Sequence, residues 1–278
     1  MNPLRHISDL LGLGPGPTGV LLGLGAALSL ATVLRAGRLM LRPTQTARKR
    51  WRSVGTWWVL LAVFVAMLAL GRPAVAVVMI LASGLALREA LAIATPGHRL
   101  LALALAALGP GFVVAVAWLP GPETLPATEL GWLVLLLVLT ELNDIAQAFW
   151  GRTLGRLPLA PVLSPRKTWE GFWGGVLTTT AASVAVAPYL TDYGRGVPPV
   201  AGSLASAPSW IWSALLGLLV AVAGVAGDLL ASRLKRRAGV EDSGRLLPGQ
   251  GGILDRLDSL TVTAPTFFVL TWLLWIRP

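Results

Sequence analysis

Long apolar blocks separated by short polar segments run the length of this chain. They lie near residues 18 to 34, 55 to 71, 74 to 94, 100 to 119, 130 to 149, 169 to 189, 209 to 228 and 258 to 276. A helix crosses a bilayer with about 20 mainly apolar residues, so each block predicts a spanning helix and the fold class is an all-α polytopic membrane protein of about eight transmembrane helices. The first block is expected to be retained, since seven more follow and no small-residue cleavage site succeeds it. Residues 1–129 hold apolar spans and little else. Residues 130–278 hold spans together with the chemically distinctive polar segments, and the whole reads as one integral-membrane domain without a soluble unit or an internal repeat.

Composition agrees: 55% of the 278 residues are hydrophobic, 13% are charged and the mean hydropathy is +0.70, against about 25% charged in soluble domains. The net charge of +10 raises nucleic acid or an anionic membrane as partners, and the distribution decides between them. Seventeen of the 23 lysines and arginines occupy three segments: Arg35 to Arg52, Arg152 to Lys167 and Arg233 to Arg256. With eight spans these all fall on one side, which the positive-inside rule makes cytoplasmic, while the opposite loops at 120 to 129 and 190 to 208 hold only Arg195. The basic excess is therefore that of a membrane protein's inner face, with no nucleic acid implied. Trp57, Trp58, Trp118, Trp132, Trp210, Trp212, Trp272 and Trp275 sit near span ends and are expected to be interfacial anchors.

The chain has no cysteine and two histidines, His6 and His98, which leaves almost no material for thiolate, His-triad or His-rich metal chemistry. Carboxylates are also scarce, and Glu141, Asp144, Glu170, Asp228, Glu241, Asp242, Asp255 and Asp258 gather between positions 141 and 258. Several lie at span ends, where ionisable groups face a polar cavity or one another. A shared site on the cytoplasmic side is expected. In the run GDLLASRLKRRAGVEDSGRLLPGQGGILDRLDS from Gly227 to Ser259, four aspartates accompany a Lys/Arg cluster and two glycine-rich turns. Carboxylate oxygens suit Mg²⁺, cations neutralise phosphate, and glycines admit backbone N–H groups to phosphate oxygens. Asp255 and Asp258, three apart, would share a helical face. A second polar segment, Asn143 to Gly175, offers Ser164, Arg166, Lys167 and Thr168 at a turn ahead of a helix opened by Trp169 and Glu170, a place suited to anions. The alternatives are a solvated loop for the first segment and a basic turn ahead of a capped helix for the second.

These two segments resemble the phosphatidate cytidylyltransferases, polytopic membrane enzymes also called CDP-diacylglycerol synthases. The family signature is met by Ser232, Lys235, Arg236, Asp242, Gly244, Pro248, Gly249, Gly251, Gly252, Asp255, Arg256 and Asp258. Its upstream Ser-Pro-x-Lys-Thr-x-x-Gly pattern is met by Ser164, Pro165, Lys167, Thr168 and Gly171, and its Gly-Asp pair by Gly227 and Asp228. Agreement in detail covers roughly residues 141 to 260. Two positions depart: Glu241-Asp242 stands where the family has Lys-Asp, and Gln250 where it has His. The Asn143-Asp144 pair points to a divergent branch.

The resemblance implies transfer of a cytidylyl group from CTP to phosphatidic acid, giving CDP-diacylglycerol and pyrophosphate. It implies Asp228 and Asp255 at a Mg²⁺ centre, with a second cation as an option, and Asp144, Asp242 and Asp258 nearby as ligands or orienters. Lys167, Lys235, Arg236 and Arg256 are the implied phosphate contacts, with hydrogen bonds from Ser164, Thr168 and Ser232, backbone donors at Gly249 to Gly252 and an amide from Gln250. A homodimer, a bacterial cytoplasmic membrane and a site open to the cytoplasm are further implications. Competing readings are an enzyme on another lipid phosphate, a lipid kinase, an inactive scaffold, and a transporter whose ion path uses Arg88, Glu89, Glu141 and Asp144. In the simplest case Arg88 and Glu89 pair with each other.

Overall fold

The computed structural model describes residues 15–41, 44–119, 130–191 and 208–273. The loops at 120–129 and 192–207 with Arg195, the terminal His6 and Trp275, and the side chains of Arg42, Arg48, Lys49, Arg50 and Arg52 lie outside the described residues. Eight long helical segments stand where the apolar blocks predicted them: α1 Pro15–Leu41, α2 Gln45–Leu70, α3 Arg72–Ile93, α4 Arg99–Ala117, α5 Gly131–Thr153, α6 Trp169–Thr191, α7 Ser209–Arg237 and, after the short α8 Leu254–Leu257, α9 Leu260–Thr271. Six of them, α1 to α5 and α7, are long and apolar enough to cross a membrane. This is an integral-membrane architecture.

One element departs from the all-helical expectation. Pro158–Ala160 (β1) and Ser164–Thr168 (β2) form a two-stranded antiparallel hairpin between α5 and α6. Prolines at 158, 161 and 165 rule out a helix continuing through this stretch, and Glu170 of α6 folds back to accept the backbone N–H groups of Arg156 and Leu157.

Consecutive helices pack side by side: α5 on α6, α6 on α7, α3 on α4, while α9 lies between α4 and α7. The core is drawn from both halves of the chain, including Leu105 of α4, Leu133, Leu136 and Leu139 of α5, Leu216 of α7 and Phe267 of α9. Two of the predicted interfacial indoles turn inward instead. Trp132 and Trp212 are buried, Trp132 edge-on to Phe267 with ring centroids 6.2 Å apart; position near a span end does not determine which way a ring faces. Trp58, Trp118, Trp210 and Trp272 remain exposed.

In apolar surroundings each polar group needs a partner within the protein. Hydroxyls in these helices find theirs four residues back, as when Thr140 donates to Leu136 O and Thr271 to Phe267 O, both at 2.9 Å or less. Pro110 inside α4 cannot donate to Ala106 O, and Ser83 of α3 supplies that bond at 2.8 Å. Close approach of α6 and α7 depends on Gly217: a Cβ there would lie 2.6 Å from Ser183 Cβ and 2.9 Å from Thr180 Cα. Gly217→Ala should therefore cost about 1–3 kcal/mol by overpacking. Gly84→Ala, with nothing within 4 Å, should be neutral or stabilise slightly. Thermal unfolding of both variants in one detergent checks the contrast.

Candidate active site

The site is assembled on α7. Gly224, Asp228 and Lys235 are spaced by four and seven residues, so they fall on one face of that helix, and Gly227 lets the backbone of Asp258 and Ser259 press against it. On α5, Glu141, Asp144 and Gln147 recur every three residues and share a face likewise. Asn143 locks these helices together. Its Nδ2 donates to Ala221 O of α7 at 3.1 Å and its Oδ1 accepts from Thr179 of α6 at 3.4 Å. The amide fits because Gly175 and Gly224 leave room: a Cβ on either would come within 3.0 Å of it.

Two lysine–carboxylate pairs connect the two motif segments to α7. Lys167, at the end of β2, reaches Asp228 Oδ2 at 2.5 Å and Gln147 Oε1 at 3.3 Å. Lys235 reaches Asp255 Oδ1 at 2.8 Å and stands 3.7 Å from Asp258 Oδ2, so Asp255 and Asp258 do share a face, directed at one ammonium. The other oxygen of Asp255 accepts three hydrogen bonds at 2.9 Å, from Ser243 N, Ser243 Oγ and Gly252 N. Burial by itself would raise the Asp255 carboxyl, but the Lys235 ammonium and the N–H groups of Gly252 and Ser243 outweigh it and hold the group below the ordinary carboxylate range.

The glycine-rich turn is built on a Pro-Gly pair. Gln250 N donates to Leu247 O at 3.0 Å, and Gly249 at the third position has φ +77°, the conformation of a type II turn. Leu247 N then pairs with Gly251 O at 2.9 Å, and Thr56 of α2 donates to Pro248 O at 3.0 Å. Of the four backbone donors expected to face phosphate, those of Gln250 and Gly252 are thus engaged within the protein. Thr168 accepts Gly171 N at 3.1 Å, capping α6 and leaving its own proton to donate. Arg236 ties hairpin to loop by donating to Leu163 O and Val240 O. Ser164 stands half-buried on β2 and Ser232 half-buried on α7.

Asp242 is exposed, without an ion-pair partner among the described residues, and lines an open depression of about 360 Å³ with Val240, Glu241, Gly244 and Arg245. Glu241 meets Arg166 at 3.5 Å, and both side chains are well exposed. Asp144 lies within electrostatic reach of Asp228, Lys167, Glu141 and Asp258, as Arg256 does of Glu141 and Asp258. Its Oδ1 is buried with no hydrogen-bond partner. The cluster therefore opposes five carboxylates, Glu141, Asp144, Asp228, Asp255 and Asp258, to three cations, a formal excess of two negative charges. Among the described residues no three His, Cys, Asp or Glu side chains are assembled as a ready metal cage.

Three participants escaped sequence reasoning. Asn143 stood out only as half of a dipeptide opening the second polar segment, Glu89 only as a partner of Arg88 or part of an ion path, and Gln147 not at all. Glu89 does not pair with Arg88: its Oε2 accepts from Leu254 N at 2.9 Å and lies 3.2 Å from Ser243 Oγ. The buried polar atoms of Asn143 and Gln147 in otherwise apolar helices were the available signal.

The pattern of the cytidylyltransferase family matches residues 95–274, and the chain belongs to that family. It is 46% identical over 156 residues to the uncharacterized protein YnbB of Escherichia coli, covering 55% of this chain and 46% of that one. It is 34% identical over 149 residues to a phosphatidate cytidylyltransferase of Mycobacterium bovis, covering 54% and 44%. A phosphatidate cytidylyltransferase of Brucella suis is 39% identical over 137 residues, covering 49% and 45%. The matched region is thus somewhat under half the length of each of these relatives.

The depressed Asp255 carboxyl contributes stability that is fully present above its unfolded value of about 3.9 and is lost as pH falls through the lower folded value. Asp255→Asn should lower the thermal midpoint at neutral pH and flatten its decline below about pH 4. Melting curves from pH 7 to pH 3 test this; a parallel decline in both proteins would remove Asp255 from the account.

Proposed function

We propose that this chain transfers the cytidylyl group of CTP to phosphatidic acid, releasing pyrophosphate and forming CDP-diacylglycerol on the cytoplasmic side of the membrane. The observation that carries the reading is the convergence on α7 of both phosphate-suited segments through Lys167–Asp228 and Lys235–Asp255, in a member of the cytidylyltransferase family. A phosphate oxygen of phosphatidic acid attacks the α-phosphorus of CTP. A P–O bond forms there, the bond from the α-phosphorus to the bridging oxygen breaks, and the electron pair leaves with pyrophosphate. The attacking oxygen is already ionised near neutral pH, so no strong base is needed, and the barrier lies in bringing anions together and aligning them.

Lys167 and Lys235 suit that task. Each is anchored by carboxylates, one at α7's Asp228 and the other beside the glycine turn, so each ammonium has a defined position before substrate arrives. Arg256, with its Nε buried and unpartnered, adds a third cation on the Glu141 and Asp258 side. Thr168 and Ser164 supply hydroxyls from the hairpin. In this reading the acyl chains stay in the bilayer while the head group reaches the charged ends of α5 and α7.

A divalent cation fits by donor chemistry. Mg²⁺ is usually held by one or two carboxylates plus substrate phosphates. Asp255 was expected to be one of them, but it is saturated by Lys235, Ser243 and Gly252. Asp228 together with Asp144, whose Oδ1 lacks a donor, is the pair with capacity left, and Asp258 stands beside them. When bound, the cation supplies charge neutralisation at the triphosphate.

Purified protein given CTP, phosphatidic acid and Mg²⁺ should form CDP-diacylglycerol. Asp228→Ala and Asp144→Ala should each lower turnover at least about a hundredfold, and retention of full rate in both variants would refute the assignment. Glu241→Lys frees Arg166 and restores a cation beside the loop, so the KM for CTP should fall; an unchanged or raised KM would show that Glu241 has no part in nucleotide affinity.

A further inference from the structure

Glu89 is the acidic residue of α3, four residues from the end of that helix and in the half of the chain where the sequence shows no motif. The family match begins at residue 95, six residues after it. Its carboxylate nonetheless lies beneath the glycine-rich loop that follows α7. Oε2 accepts Leu254 N at 2.9 Å and stands 3.2 Å from Ser243 Oγ, so it joins the start of the loop to its end. The contact is close at two further points. A Cβ on Gly244 would lie 2.5 Å from Glu89 Oε1, and one on Gly252 would overlap Oε2.

The rest of the loop explains why a carboxylate is needed there. Leu254 opens α8, whose cap residue Ile253 provides no side-chain hydrogen bond, so its first N–H depends on an acceptor from elsewhere. Ser243 Oγ donates to Asp255 Oδ2 at 2.9 Å. Ser243 has one hydroxyl proton, and the shorter contact gives it to Asp255; the loop is therefore held by two carboxylates, Asp255 from within through Ser243 and Gly252, and Glu89 from a separate helix through Leu254 N. Asp255 in turn holds Lys235. The chain of contacts runs from Glu89 through Ser243 to Asp255 and Lys235, and through Leu254 to the segment that carries Arg256.

We propose that Glu89 is a positioning residue for the nucleotide phosphates. It holds the loop from Ser243 to Leu254 in its ligand-ready shape and so sets Lys235 and the Gly249–Gly252 turn before CTP binds. The inference rests on the cytidylyl-transfer reading and deepens it. Glu89 touches the loop and not the reacting atoms, so its removal should act on one substrate. Lipid capture, which uses the hairpin and the α5–α7 face, should not feel it.

The experiment compares wild type, Glu89→Ala, Glu89→Gln and Ser243→Ala as full-length protein in detergent, each first shown to elute and melt as wild type does. The KM for CTP should rise about tenfold in Glu89→Ala, the loss expected of a charge-assisted hydrogen bond, with the KM for phosphatidic acid within about twofold. Glu89→Gln keeps an oxygen for Leu254 N and should recover most of the CTP affinity. Ser243→Ala should reproduce the direction of Glu89→Ala, and the double variant should be no worse than the poorer single one. Amide hydrogen exchange supplies a readout independent of turnover: peptides covering 243–254 should exchange at least about tenfold faster in Glu89→Ala. An unchanged KM for CTP, an equal rise in both KM values, or unchanged exchange in that loop would overturn the proposal. If wild type forms no CDP-diacylglycerol, the cytidylyl-transfer reading fails, and the exchange result alone decides whether Glu89 holds the loop.

Discussion

A charge buried beside a membrane must meet its opposite within the protein, and this structure is organised around two such meetings. Lys167–Asp228 and Lys235–Asp255 both contribute one partner from α7, two turns apart on the same face. The first fastens the hairpin between α5 and α6; the second fastens the loop after α7. Removing either partner leaves an uncompensated charge in a partly buried place, which costs far more than an exposed pair ever contributes. The exposed Arg166–Glu241 contact shows the contrast, since water surrounds both of its ends.

The same demand shapes the helices that carry these pairs. Asn143 can span α5, α6 and α7 because glycines on both neighbours make room for its amide. Ser83 supplies the bond that Pro110 withholds from Ala106, and the hydroxyls elsewhere turn back on their own helix. The bundle reaches its polar end already satisfied, with few exceptions. Of those exceptions among the described residues, Asp144 Oδ1, Gln147 Nε2 and Arg256 Nε lie where the charges converge, while others belong to Thr180, Ser183, Trp212 and Ser213 along α6 and α7.

Much of the architecture was legible in the chain. Each apolar block became a helix because lipid leaves a backbone few other ways to satisfy its hydrogen bonds. The segments rich in carboxylates and lysines are those the structure brings together, and Asp255 and Asp258, three apart, share a face as their spacing implied. The readings that changed were those about direction. Trp132 and Trp212 face inward, and Glu89 leaves Arg88 for a loop more than 150 residues away. The prolines of the β1–β2 segment signalled a turn, but nothing local announced that the two arms would pair.

What the sequence by itself determined was where the long apolar helices lie and which two polar segments carry the lysines and carboxylates that meet at α7. These follow from solvation, which acts on each stretch of chain according to its own composition. Which lysine meets which carboxylate, that Asp255 is saturated while Asp144 is left with an unpartnered oxygen, and that α3 contributes Glu89 to a loop near the other end of the chain were decided only by packing. Partners in a folded bundle are chosen by distance in space, and helices of similar apolar composition carry no local mark of which neighbours they will have.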